Sequence, residues 1–121
     1  MIARAVIRRG DRVLLARYLR ASWWFLPGGH VEPDENVEDA LLRELAEELG
    51  TDARIDRFLG VVENSYRNDE GTHHELNHVF EVTLIEEEPA SRESHLEFRW
   101  LPRDELVAAD LRPAEIKQMV L

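Results

Sequence analysis

Cysteine is missing from all 121 residues, so no disulfide can staple this chain. Nor does it contain an apolar run of the roughly eighteen residues that a membrane-spanning helix needs, or a basic-then-apolar N-terminus of the secretory type. The expectation is a soluble, cytoplasmic protein with no membrane partner. Positive charge is also scarce: 15 Lys and Arg stand against 25 Asp and Glu, a net charge of −10. A broad nucleic-acid surface needs clustered cations to displace counterions, and this composition argues against one. Repeats, low-complexity tracts and interdomain linkers are absent too, so residues 1–121 read as one domain, long enough to bury its own core. A small phosphorylated ligand stays open, because a bound divalent ion and a few arginines can offset the acidic excess. Arg4, Arg8, Arg9, Arg12, Arg17 and Arg20 fall in the first twenty residues beside a single acid, Asp11, and read mostly as a solvated face.

Ile2 to Arg8 and Val13 to Arg17 read as strands around a Gly10-Asp11 hairpin signal. Trp23 to Leu26 reads as a short aromatic strand with its tryptophans in the core, closed by Pro27-Gly28-Gly29, where glycine permits close backbone approach. Asn36 stands where an N-cap belongs and Gly50 at a C′ stop, which predicts a helix over Val37 to Leu49. Ile55 to Glu63 and Leu76 to Ile85 read as strands flanking a polar segment, Asn64 to Glu75, that is either a loop or a long hairpin. Glu86-Glu87-Glu88-Pro89 reads as the end of the second of these, Ser91 to His95 as a polar loop and Phe98 to Leu101 as a last strand. Helical pieces follow over Arg103 to Ala108 and Pro113 to Leu121. The interleaving predicts an α/β sandwich.

The helix carries the chemistry. At about 100° per residue, Glu48 lies about 40° to one side of Glu44 and Glu47 about 60° to the other, so the three carboxylates share one arc. Like charges at this spacing repel, and a bound divalent cation reverses that cost by giving hard carboxylate oxygens something to coordinate. Leu41, Leu45, Leu49, Leu42 and Ala46 occupy the other side, so one face is expected to pack and the other to bind. Arg43 lies about 40° from Glu47 on the wheel and can hold that carboxylate in place. Glu35, ahead of the helix, suits its dipole.

The stretch runs Gly29, five residues, Glu35, seven residues, then Arg43-Glu44-Leu45-Ala46-Glu47-Glu48-Leu49-Gly50-Thr51. That spacing resembles the signature of the Nudix hydrolases (MutT-like proteins). The single departure is Thr51, at a position where the pattern has a bulky aliphatic residue and which packs rather than reacts. The resemblance extends from the leading strands through Leu26-Pro27-Gly28-Gly29 to the late Glu97-Phe98-Arg99-Trp100. It implies the Nudix fold, a mixed β-sheet sandwiched between α-helices. It also implies a Mg²⁺-dependent pyrophosphohydrolase, with Mn²⁺ as the alternative ion, cleaving a nucleoside diphosphate linked to another group.

The residue roles implied by the resemblance are as follows. Glu44, Glu47 and Glu48 are the metal carboxylates, with the Gly28 carbonyl completing the inner shell, and Arg43 and Glu35 support them. The general base is Glu47, Glu44 or an acid from the Ser91 to His95 loop, where Glu93 is best placed. Arg17 matches an arginine that relatives use on substrate phosphate. A proline about fifteen residues past the motif goes with ADP-ribose in some subfamilies, and a tyrosine there with dinucleoside polyphosphates; this chain has Tyr66 and no proline before Pro89. The substrate expected is therefore a nucleoside triphosphate or dinucleoside polyphosphate rather than ADP-ribose. The competing class is a nucleotide-binding or regulatory module without turnover, which should have lost at least one of the three glutamates. A homodimer is compatible with either class.

Overall fold

The chain begins with a strand that is apolar on both faces, and the sheet is built around it. In a computed structural model, which describes residues 1–86 and 89–121, this strand is β1, Ile2–Arg9. It turns at Gly10 into β2, Arg12–Tyr18, and the two pair antiparallel. β3, Gly28–His30, pairs antiparallel with β1. Helix α1 spans Val37–Leu49, then β4, Ala53–Asn68, and β5, Gly71–Leu84, form a long antiparallel hairpin. β6 is Leu96–Pro102, α2 is Arg103–Ala108, and a single 3₁₀ turn, Ala114–Ile116, leads into α3, Lys117–Val120. Among the described residues the sheet order is β4-β5-β1-β2-β6, with β3 paired to β1 off that path. The β1–β5 pairing is parallel, so the sheet is mixed as expected.

Residues on β1 alternate between two cores. Ala3, Ala5 and Ile7 pack with Leu41, Leu45 and Leu49 of α1, while Val6 packs with Leu106, Ile116 and Val120 from the C-terminal helical segments. Helices therefore cover both faces, the sandwich that the element order predicts. No described helix is long and apolar enough to cross a membrane.

Several local readings shift. Trp23 to Leu26 is not a strand: Trp24 and Phe25 make only isolated bridges, to Leu111 and Ala16, and the regular pairing falls on Gly28–His30 instead. Trp24 is buried as a core residue, but Trp23 is only half-buried. The polar segment after Glu63 is the long hairpin rather than a loop, because its register holds as far as Asn68 opposite Gly71. Of the acidic run read as a strand end, Glu87 and Glu88 lie outside the described residues. Thr51 is buried, its hydroxyl donating to the Asp52 carbonyl at 2.9 Å and accepting from the Glu86 N–H at 3.2 Å.

Helix α1 begins and ends where its sequence signals stand. The Asn36 side chain accepts from the Asp39 N–H at 2.8 Å, and Gly50 adopts φ 67° with its N–H donating to the Ala46 carbonyl at 2.9 Å. Its packed face differs from the expected one. Ala46 is exposed and Leu42 half-buried, whereas Glu48 is buried with Leu41, Leu45 and Leu49. On the wheel Glu48 lies only about 20° from Leu41, inside the apolar arc rather than opposite it.

Gly28 has φ 135°, and a Cβ there would stand 2.0 Å from the Ala3 carbonyl oxygen, so β3 can approach β1 only through glycine. Gly71, at φ 120°, has nothing within 4 Å of the same position. Gly71→Ala should therefore cost only backbone strain, about 1–3 kcal/mol. Gly28→Ala should cost clearly more, because a backbone clash adds to the strain. Urea midpoints of the two variants check this, and equal losses would refute the close approach.

Candidate active site

Gly28 and Gly29 bring β3 under the helix, and two carboxylates meet them there. Glu48 is 6% exposed, and its Oε2 accepts the Gly28 N–H at 3.1 Å. A Cβ on Gly29 would lie 2.5 Å from the Glu44 carboxyl carbon, so Glu44 rests directly on this glycine. Burial pushes the Glu48 carboxyl up to about 8, with the Glu44 and Glu93 charges adding to the rise while the Gly28 N–H and Arg4 oppose it. A carboxylate driven toward its neutral form by burial and by like charges is a site short of positive charge.

Arg43 organises the outer side of the helix. Its Nε and Nη2 donate to the two Glu35 oxygens at 2.7 and 2.9 Å, a bidentate pair. Nη1 reaches Glu44 at 3.1 Å and Glu47 at 3.3 Å, and Nη2 also donates to the His30 carbonyl at 3.1 Å. The Arg43 guanidinium holds Glu35 below the usual carboxylate range, and Glu35 is in turn the largest cause of the raised Arg43 pKa. Arg43 thus anchors the helix to the preceding loop and steadies Glu44, in addition to the expected contact with Glu47.

Glu44, Glu48, Gly28 and Gly29 line a cleft of about 920 Å³. Glu93 lines the same cleft, and its charge acts on Glu48. Its loop is tied down by the Arg92 N–H, which donates to the Glu48 carbonyl at 2.7 Å, and by the Ser91 hydroxyl, which donates to the Glu93 carbonyl at 2.9 Å. Tyr66 also lines the cleft, from β4 of the long hairpin, with its ring stacked on His73 at 5.0 Å.

Two expected site residues are placed elsewhere. Glu47 has a side chain 53% exposed, turned toward Arg43, and does not line the cleft. Being about 60° from Glu44 on the side away from Glu48, it leaves the packed arc altogether. Arg17 does not line the cleft either. Strand alternation sends it to the face of β2 opposite Tyr18, where it pairs with Glu97 and lies over the Trp24 ring at 4.4 Å.

Sequence reasoning missed two features of the cleft. One is Arg4, which lines it and donates to the Leu26 carbonyl at 3.0 Å instead of facing solvent. Burial lowers its pKa, and Glu48 is the largest opposing influence. Its signal was available: a charged residue inside Ile2-Ala3-Arg4-Ala5-Val6-Ile7, a run otherwise apolar on both faces. The other is a cluster of aromatic rings in the lining. Tyr18 lies 5.1 Å from Phe25, 5.9 Å from Trp23 and 6.0 Å from the stacked His95 ring.

The donor chemistry fits a hard divalent cation. Among the described residues no three His, Asp or Glu side chains gather as a metal-holding group. A cation here would draw on Glu44 and Glu48 and complete its shell with backbone, water or substrate oxygens, the pattern usual for Mg²⁺.

A stability measurement tests the Glu48 environment. Its folded pKa of about 8 exceeds the ordinary 4.5, so between these values the native state holds a proton that the unfolded chain has lost. The stabilising contribution is complete at low pH and fades as pH rises through the window. Metal-free protein should therefore be less stable to urea at pH 8 than at pH 6, and Glu48→Gln should flatten that slope. The depressed carboxyls of Glu35 and Asp56 titrate below this range and do not contribute to it. An unchanged slope in the variant would refute the assignment.

Comparison with known proteins bears on the same residues. A family model described as the NUDIX domain matches residues 1–120. The chain is 35% identical over 65 residues to a putative 8-oxo-dGTP diphosphatase of Bacillus subtilis, a match covering 54% of this chain and 44% of that protein. It is 40% identical over 62 residues to the CTP pyrophosphohydrolase of Escherichia coli, covering 48% of this chain and 46% of that one. These matches span less than half the length of either curated relative. Among solved structures, a MutT Nudix hydrolase from Burkholderia pseudomallei superposes with a TM-score of 0.73 at 32% identity, covering 85% of this chain and 82% of that one. A Nudix hydrolase from Nitrosomonas europaea shares the fold at a TM-score of 0.79 and 24% identity, covering 98% of this chain and 84% of the other. The motif, the mixed sheet between helices and the family match agree: this chain belongs to the Nudix family.

Proposed function

We propose that the chain is a Mg²⁺-dependent pyrophosphohydrolase that cleaves a phosphoric anhydride bond in a nucleoside diphosphate linked to another group. The observation carrying this reading is a single cleft lined by Glu44, Glu48, Glu93, Gly28 and Gly29 together with the rings of Tyr18, Trp23 and Phe25. Such a cleft suits a ligand that joins metal-bound anionic groups to a flat ring, and its size falls within the range of small-molecule sites.

Glu44 and Glu48, with the Gly28 carbonyl as the backbone donor that the family resemblance nominates, would hold Mg²⁺, or Mn²⁺ in its place. When bound, the ion supplies charge neutralisation for the phosphates and a lowered pKa for attacking water. The remaining work falls to the chain itself. The Gly28 N–H keeps the Glu48 carboxylate turned toward the cleft, and Arg43 holds Glu44 in place. Glu93, on its tethered loop in the same cleft lining, would be the acid that accepts the proton of the attacking water. Glu47, bound to Arg43, is the weaker candidate for that task. Tyr18, Trp23 and Phe25 offer ring faces on which a nucleobase can stack.

A nucleoside triphosphate or dinucleoside polyphosphate is favoured over ADP-ribose. Tyr66 in the cleft supports this, as do the curated relatives named for 8-oxo-dGTP and CTP. The same fold elsewhere holds ADP-ribose, in a Nudix domain from Shewanella oneidensis whose structure matches at 20% identity, so that substrate belongs in the panel.

Phosphate or pyrophosphate release from nucleoside triphosphates, dinucleoside polyphosphates and ADP-ribose, with Mg²⁺ and with chelator, tests the reading. Turnover should require the ion. Glu44→Gln and Glu48→Gln should each lower kcat by about 10²–10³-fold, the loss typical of removing one charge-stabilising group. Near wild-type rates in either variant at saturating Mg²⁺ would sink the site. Tight nucleotide binding without turnover would favour the regulatory module.

A further inference from the structure

The cleft is strongly acidic for a site read as holding a polyphosphate. Its lining includes two arginines, Arg4 and Arg112, against five glutamates, Glu44, Glu48, Glu75, Glu93 and Glu115. Arg112 is already committed: its Nε and Nη2 donate to the two Asp110 oxygens at 3.3 and 3.0 Å, and the group lies over Trp23 at 5.1 Å. Arg4 is different. Its guanidinium makes one side-chain hydrogen bond, to the Leu26 carbonyl at 3.0 Å, and lies 5.5 Å from the Phe25 ring centre. Among the described residues it has no carboxylate within 4.0 Å.

A guanidinium has five N–H donors in a fixed fork. None of the Arg4 nitrogens is both sealed from solvent and without a partner, so the donors that Leu26 does not use keep some exposure in a residue that lines the cleft. Strand geometry accounts for this placement. Arg4 shares a face of β1 with Ile2 and Val6, and its register partner Gly28 on β3 is the residue whose N–H meets Glu48. The backbone thus places this cation near Glu48, while among the described residues no carboxylate pairs with it within 4.0 Å.

We infer that Arg4 is a substrate-binding residue whose free N–H donors take a phosphate oxygen of the ligand. Its place beside Phe25 sets where the phosphates end and the stacked ring begins. The inference rests on the reading of the cleft as a polyphosphate site and names the protein group that receives the anion there. A planar fork held by a backbone carbonyl matches phosphate oxygens in pairs, which an ammonium cannot do. Lysine should therefore replace Arg4 only in part.

The competing role is structural: Arg4 would merely offset the buried Glu48 charge. Kinetics and binding separate the two. Arg4→Met and Arg4→Lys are compared with the unaltered protein on the nucleotide that the wild type turns over best. Substrate binding predicts KM raised at least about tenfold in Arg4→Met and less in Arg4→Lys, with kcat changed far less. Mn²⁺ alone, titrated without nucleotide, should bind as tightly as before or more tightly, since a nearby positive charge is gone. A charge-offset role predicts KM within about threefold of wild type whatever the change in Mn²⁺ affinity, which would overturn the inference. If Arg4→Met does not fold, Arg4→Lys alone decides, with the same two readouts. Titration with a non-hydrolysable imido-linked nucleoside triphosphate in Mg²⁺ keeps the inference separate from the hydrolase reading. A wild type that binds this analogue without turning over any nucleotide defeats the hydrolase reading only. Equal affinity of wild type and both variants for the analogue defeats the role of Arg4.

Discussion

A carboxylate buried within the apolar arc of a helix is the constraint on which the rest of this site depends. Glu48 sits about 20° from Leu41 on the wheel of α1, so packing the helix on β1 carries the acid inward with the leucines. An ionised group there is costly unless something satisfies it. The nearest satisfaction is the Gly28 N–H, and that N–H is available only because β3 presses against β1 at a residue with no side chain. The helix, the glycine pair and the central strand are therefore coupled through one oxygen atom. What the protein alone leaves incomplete is charge, since burial, Glu44 and Glu93 all disfavour the ionised form.

The elements around that point have separable duties. Arg43 binds Glu35 in bidentate fashion and touches Glu44, so the loop before the helix and the helix itself move as one body. Arg92 ties the loop carrying Glu93 to the last turn of α1, and its guanidinium covers Gly50, where a Cβ would stand 2.0 Å from Nε. Gly50 thus serves twice, as the left-handed stop of the helix and as the floor beneath a neighbouring arginine. The aromatic cluster belongs to a different region, the strand end at Tyr18 and the segment through Phe25, which the Ala16–Phe25 bridge holds against β2. The loop carrying Glu93 also carries His95, whose ring stacks on Tyr18, so acids and rings are joined there.

Much of this was legible in the residues alone. The helix bounds, its N-cap and its glycine stop are local, decided by hydrogen bonds within a few residues of each other, and they stand where the sequence signals lie. The strands of β1, β2, β5 and β6 follow from apolar patterning, and the spacing of Gly29, Glu35, Arg43, Glu44 and Glu48 identified the family. The close packing of Gly28 and Gly29 was likewise foreseeable, because glycine pairs at strand ends mark close approach.

Tertiary structure decided the remainder, and the reason is the same in each case. A helical wheel states angles but not which arc the sheet will cover, so Glu48 was grouped with the exposed acids until β1 placed it inside. Strand periodicity gives two faces without saying which one a cleft will open on, so Arg17, expected at the substrate, lies beside Glu97 and over Trp24, while Arg4, read with a mostly solvated group, lines the cleft. Trp23 read as core because aromatic residues usually bury, yet it is only half-buried and lines the cleft. Sequence alone determined what each element is and which chemistry it can carry. Only the packing of elements distant in the chain determined which side chains meet, because a meeting point belongs to pairs of residues and not to either one.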